Sequence, residues 1–230
     1  MNLLMKTLNN IEELDKKTMD QAWNYIDNLS KPIGSLGILE DIAARIAGIT
    51  GKLQNKMNKK NIIIMCADNG VVDEGVSTNP KETTAIVTNN FTRKITGVCV
   101  LSEFTNTDLT IVDIGVDADF DNPMIINKKI SYGTQNIVKG PAMTREQAII
   151  AIETGIEIID NLVKDGYDIF GTGEMGIGNT TTSAAVLSAL SGLDAGIVVG
   201  KGSGLTNEQF EHKKNVVKRA LEVNKPIGRM

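Results

Sequence analysis

The sequence predicts an α/β fold, a mostly parallel sheet with helices on both faces. Three observations predict it. Two runs, Asn61-Ile-Ile-Ile-Met-Cys-Ala67 and Leu109-Thr-Ile-Val-Asp-Ile-Gly-Val116, are apolar without alternation, as strands covered on both sides are. Segments of helical period separate the apolar runs, which is the pattern of crossover units. Polar residues gather just past the strand ends, where open α/β sheets bind ligands.

Taken in order, residues 11 to 28 read as an amphipathic helix with Leu14, Met19, Ala22, Trp23 and Ile26 inward. Ser30-Lys-Pro-Ile-Gly-Ser-Leu-Gly37 breaks it through Pro32 and two glycines. Lys31 and Ser35 there could meet a ligand, although the chemistry is also that of an ordinary turn. A second helix spans Ile38 to Thr50. The strand 61–67 ends in Asp68, and 80–101 reads as one or two helices with Gly97 at a break. The strand 109–116 ends among Asp113, Asp117 and Asp119, and the chain then turns into a hairpin-like excursion at Pro123. Thr144 with Gln147 three residues on is a capping box that opens a helix to about Lys164. Ala195-Gly-Ile-Val-Val199 reads as a further buried strand, Gly200-Lys-Gly-Ser-Gly204 as a glycine turn, and Thr206 to Val223 as a last helix. The sum is a Rossmann-like sheet preceded by a helical segment.

The chemistry centres on Gly171-Thr-Gly-Glu-Met-Gly-Ile-Gly-Asn-Thr-Thr-Thr-Ser183, which follows the apolar Tyr167-Asp-Ile-Phe170 and precedes a helix rich in small residues. It reads as a strand–loop–helix turn, with Asn179, Thr180 or Thr181 as the cap. The free N–H groups at such a helix start attract anions. Glu174 is the one carboxylate among them, so a phosphorylated sugar fits: amides for its phosphate, a carboxylate for its hydroxyls. A packing turn explains the same glycines, and spacing alone does not separate the two. No Gly-Lys-Ser/Thr occurs, so this is not a Walker loop.

The remaining composition narrows the choice. The 230 residues carry a net charge of −4, which gives no electrostatic case for nucleic acid or an anionic membrane. No apolar run approaches the roughly 18 residues of a membrane span, and the start from Met1 lacks a signal-peptide pattern. Cys66 and Cys99 lie apart in apolar stretches and read as buried free thiols in a reducing cytoplasm. A single histidine, His212, rules out a His-rich metal site, and no cofactor is expected. Lys201 and Lys213 could neutralise a phosphate or be plain surface lysines.

Several blocks resemble one family. Lys31-Pro-Ile-Gly-Ser-Leu-Gly37 with Leu39-Glu40, Ala67-Asp-Asn-Gly-Val71 through Glu74-Gly-Val-Ser77 and Pro80, Gly133-Thr with Asn136-Ile137, Gly140-Pro-Ala-Met-Thr-Arg-Glu-Gln-Ala148 and Gly173-Glu-Met-Gly-Ile-Gly-Asn-Thr-Thr181 occur in the order found in nicotinate-nucleotide–dimethylbenzimidazole phosphoribosyltransferases. The resemblance runs from about residue 11 to about 225. It implies transfer of the phosphoribosyl group of nicotinate mononucleotide to a benzimidazole nitrogen, giving α-ribazole 5′-phosphate and nicotinate for the lower ligand of cobalamin, in a cytoplasmic homodimer. It implies that Gly173, Met175, Gly176, Ile177, Gly178, Asn179 and Thr180 hold the mononucleotide, supported by Gly202, Ser203 and Gly204. Glu174 and Lys213 assist the chemistry, and Asp68, Ser77 and Ile86 lie on the substrate side. Gly176→Val is expected to abolish mononucleotide binding while leaving the fold.

The family pattern departs in two respects. Its general base is a glutamate near the carboxyl end in a Leu-Gly-Glu-Gly-x-Gly type of motif, which does not occur before Met230. Asn69 also stands where a histidine is common and Ile86 where a glutamine is frequent, which bears on the accepted base. The resemblance therefore divides the chain into a helical segment of a small domain, 1–50, and a nucleotide-binding α/β part, 51–230, whose late strands are missing. Three readings follow: a transferase, an inactive nucleotide- or α-ribazole-binding protein, or one half of an enzyme completed by a carboxyl-terminal chain that covers an open sheet edge.

Overall fold

The computed structural model describes residues 2–226; Met1 and the stretch Ile227 to Met230, on which the expectation about the chain's end falls, lie outside them. The chain divides into two compact units, the first extending to Asn58 and the second beginning at Lys59.

The first unit contains α1 (Leu3–Asn9), α2 (Lys16–Asp27) and α3 (Ile38–Thr50). The expected helix over 11–28 begins only at Lys16. Asp15 stops it by folding its carboxylate back to accept the Thr18 N–H at 3.1 Å. A helix over 3–9, capped by Asn2, was not expected from the pattern. Ala22, Ala44 and Ala47 let α2 and α3 approach closely, and Trp23 packs against that cluster.

The second unit is built on β1 (Lys60–Ala67), β2 (Asp108–Gly115), β3 (Ile125–Asn127) and β4 (Ile169–Met175), ordered β3-β2-β1-β4 and parallel throughout. Side chains alternate across it. Ile64, Cys66 and Ile111 pack with Phe91 of α4 (Thr83–Thr92) and Cys99 of α5 (Gly97–Phe104) on one face. Ile63 and Val112 pack with Ile158 of α6 (Arg145–Lys164) on the other. The sheet is thus covered on both sides, which is why its strands read as continuous apolar runs. Both cysteines are free and buried, and burial pushes the Cys66 thiol up to about 11. Beyond β4, α7 (Asn179–Ser191), α8 (Ala195–Val198) and α9 (Asn207–Asn224) form a further core through Ala184, Ala185, Ala195 and Val217.

Four sequence expectations are corrected here. The excursion after Pro123 is not a hairpin: Ile125 to Asn127 lie parallel to Ile111 to Asp113. Ala195–Val199 is not a strand, because Asp194 caps a helical turn by accepting the Gly196 N–H at 2.7 Å. Gly171 to Met175 are not loop but strand. A Cβ at Gly171 would stand 3.0 Å from Ile62 Cγ1, and one at Gly173 3.3 Å from Ile64 Cγ1, so the glycines serve close strand packing. No Asn179, Thr180 or Thr181 side chain caps α7, whose first turn starts from Gly178 at φ +87°.

Candidate active site

The carboxyl ends of β1, β2 and β4 bring the candidate residues to one pole of the sheet, the end at which parallel sheets hold ligands. β1 delivers Asp68 and Asn69. Asp68 is buried, its Oδ2 accepts the Asp117 N–H at 2.8 Å, and among the described residues its Oδ1 has no hydrogen-bond partner. β2 delivers the loop from Gly115, shaped by Asp113. That buried carboxylate accepts the N–H groups of Gly115 and Val116 at 3.1 and 2.8 Å and pairs with Lys129 at 3.1 Å. Lys129 also donates to the Val116 and Ala118 carbonyls. Asp117 pairs with Lys81, and this hydrogen bond raises the lysine pKa.

β4 delivers Glu174, exposed, whose carboxylate accepts a hydrogen bond from Asn179 Nδ2. The strand then passes over Ala67 into the turn 176–178. A Cβ at Gly176 would overlap the Ala67 carbonyl oxygen and press on Asn69 Nδ2 at 2.8 Å. Gly176→Val therefore cannot leave the fold intact, contrary to the sequence expectation, because the obstacle is backbone rather than a movable side chain.

The turn is gripped at Ile177. Its N–H donates to the buried Thr84 Oγ1 at 3.0 Å, and its carbonyl accepts from Asn69 Nδ2 at 3.3 Å. Asn69 Oδ1 in turn accepts from Thr182 Oγ1 at 3.2 Å. Asn69 thus ties β1 to the start of α7. Asn179 N–H donates to Gly176 O at 3.2 Å and Thr181 N–H to Gly178 O at 3.0 Å. The amides of Gly178 and Thr180 take no part in these bonds. Thr84 was missed in the sequence, since a threonine in a helix carries no signal of what its hydroxyl holds.

Lys213 of α9 reaches the same helix start. It is 1% exposed, yet among the described residues it forms no ion pair. Its Nζ donates to Thr180 Oγ1 at 2.7 Å and to Gly200 O at 3.1 Å. Burial lowers its pKa. A Cβ at Gly202 would come within 3.2 Å of that Nζ, and its φ of +64° is the left-handed backbone that favours glycine. Gly204 follows at φ +82°. Thr78 Oγ1 donates to Ser203 O at 3.2 Å and Asn79 Nδ2 to Ser203 Oγ at 3.3 Å. Ser77 Oγ accepts the Asn79 N–H at 3.1 Å. The structure therefore gathers Thr180, Gly202, Ser203, Lys213 and Ser77 around α7, with Asn69 and Thr84 as supports. Ile86 is exposed in the middle of α4, two residues past Thr84. A cleft of about 450 Å³ lined by Gly70, Asp73, Lys81, Thr134, Asn136 and Lys139 includes neither Glu174 nor Lys213. Among the described residues no cluster of three His, Cys, Asp or Glu side chains could hold a metal, and no helix is long and apolar enough to cross a membrane.

Comparison with known proteins bears on this geometry. The family model described as Phosphoribosyltransferase matches residues 11–229. The nicotinate-nucleotide–dimethylbenzimidazole phosphoribosyltransferase of Clostridium tetani is 57% identical over 226 residues, which are 98% of this chain and 62% of that protein. The protein of the same name from Ruminiclostridium cellulolyticum is 55% identical over 96% of this chain and 63% of its own length. The crystal structure of CobT from Thermus thermophilus superposes with a TM-score of 0.87 at 36% identity, covering 90% of this chain and 62% of that one. The chain thus spans less than two thirds of the length of these relatives. On the extent of the family match, the chain belongs to the phosphoribosyltransferase family of these nicotinate-nucleotide–dimethylbenzimidazole enzymes.

Proposed function

We propose that this chain carries the nucleotide-handling part of a metal-independent phosphoribosyl transfer from nicotinate mononucleotide to 5,6-dimethylbenzimidazole or a related base. The products are α-ribazole 5′-phosphate and nicotinate, a step toward the lower ligand of cobalamin. The observation that carries this reading is Lys213: a buried ammonium with no carboxylate beside it, at the amino end of a helix. A lone buried charge is costly, and an anion placed there offsets the cost. The 5′-phosphate supplies that anion, held by Lys213, the Gly178 and Thr180 amides and the Gly202–Gly204 loop.

The chemistry then needs positioning more than leaving-group activation. The bond from C1′ to the pyridinium nitrogen breaks, and its electron pair neutralises the ring of the departing nicotinate. The azole nitrogen bonds to C1′ and its other nitrogen loses a proton. Glu174, aimed by Asn179, accepts a ribose hydroxyl or assists that proton's departure. Asp68, Ser77 and Ile86 serve the base side. A homodimer accompanies this reading, tested by the mass in solution.

The deciding experiment titrates nicotinate mononucleotide into the chain and into Lys213→Met, then adds the base and follows nicotinate release. Binding that Lys213→Met abolishes supports the assignment. Equal affinity in the two proteins overturns it, and binding without release leaves a nucleotide-binding protein in place of an enzyme.

A further inference from the structure

Where the Lys213 ammonium points depends on how α9 is turned about its own axis, and one acidic residue outside that helix holds the turn. Past β1 the chain makes a short helical turn, Gly70–Glu74, which Gly75 ends in the left-handed conformation at φ +69°. Glu74, the last residue of that turn, is met by three donors. Its carboxylate accepts from Asn136 Nδ2 at 2.7 Å and from Arg219 Nη1 at 3.3 Å. Its carbonyl oxygen accepts from His212 Nε2 at 2.6 Å. A carbonyl only accepts, so that ring nitrogen carries the hydrogen. Asn136 is buried and the Glu74 side chain is 16% exposed, so these bonds are better shielded than those of a surface pair. His212 and Arg219 lie seven residues apart, about two turns, and share one face of α9. Val216 and Ala220 come next around the helix and pack with Val71, Val76 and Val138. Lys213 and Val217 lie beyond them, on the face that meets α7. The residues just after Glu74 hold the other wall: Thr78 and Asn79 bond to Ser203, while Lys213 Nζ donates to Gly200 O. One short run, 74–79, thus grips both α9 and the 200–204 loop.

We propose that Glu74 is a positioning residue of the phosphate site. By holding His212 and Arg219 it sets the rotation of α9 that keeps the Lys213 ammonium on Thr180 and Gly200. Glu74 acts through Lys213 and not on the ligand, so the inference rests on the mononucleotide reading. Truncating its side chain frees Arg219 and leaves the buried Asn136 amide without its acceptor, which loosens α9 against the turn 70–74.

The test titrates nicotinate mononucleotide into the full 230-residue chain by calorimetry across pH. In the parent, affinity falls at alkaline pH with a midpoint below that of a free lysine, because burial alone lowers the Lys213 pKa and a phosphate favours the ammonium. Glu74→Ala lets water reach that ammonium. Affinity near neutral pH then drops at least about tenfold, and the alkaline midpoint rises by at least about 0.5 pH unit. His212→Ala, at an exposed position, removes the other grip and moves both readouts in the same directions by less, which keeps the test decisive should Glu74→Ala not fold. Affinity within about twofold of the parent in both variants overturns the proposal. So does weaker binding with an unmoved midpoint, since a general loss of packing leaves the surroundings of Lys213 as they were. The mononucleotide reading fails by a different sign: a parent that does not bind, or Lys213→Met that binds as the parent does, removes that reading first and this inference with it.

Discussion

Lys213 is the buried lysine at the start of α7, and its protonation has a direction. Burial holds its pKa below the ordinary lysine value of about 10.4. The unfolded chain therefore binds that proton more readily than the folded one. The group detracts from stability at all pH values below its lowered pKa, and the deficit fades as pH rises through that value toward the ordinary one. A bound phosphate favours the ammonium form. Mononucleotide affinity, measured by calorimetry, should stay level near neutral pH and decline at alkaline pH with a midpoint below that of a free lysine. Thr84 acts one step removed. Thr84→Val removes the acceptor of the Ile177 N–H and leaves a half-buried donor unpaired, a loss of about 1–3 kcal/mol. Weaker mononucleotide binding is expected, with Thr84→Ser close to the parent. Equal binding by the valine variant would show that the turn holds its shape without that bond.

Elements differ in how openly the sequence declares them. β1 and β2 were legible because their residues are apolar on both faces, and α6 because it opens on a threonine-glutamine capping box; α9 opens on the same box at Thr206 and Gln209, which the sequence reading did not use. β4 was not, since Gly171 and Gly173 look like turn residues until Ile62 and Ile64 are seen lying against them. α8 was misread because an apolar run of five residues has no period of its own, and Asp194 decides it. At the site, Glu174 and the glycine turn could be read from residue types. Lys213 was read as a phosphate neutraliser or a plain surface lysine, with the family likeness favouring the first, and its burial needed the fold, because only tertiary packing brings α9 to the start of α7. The loop after β2 depends on one ion pair. Lys129→Met leaves Asp113 buried without its cation and removes a donor from two carbonyls. A drop of about 3–5 kcal/mol in unfolding free energy is expected in urea titration. A change within about 0.5 kcal/mol would mean that Asp113 is held by its two amide bonds alone.

Across the whole molecule, ligand chemistry and unpaired structure meet on β4. Its carboxyl end supplies Glu174 and the turn 176–178, while its side is an edge of the sheet among the described residues. The family likeness extends over nearly the full chain but over less than two thirds of the relatives.

The sealed thiol of Cys66 gives the molecule a built-in clock. It sits fully covered in β1, and its pKa near 11 keeps it protonated at neutral pH, so an alkylating reagent can reach it only after the strand opens. Its labelling rate therefore counts openings of the central sheet. A nucleotide that bridges α7 and α9 should slow that count in proportion to its occupancy, with no tag and no dye attached to the protein.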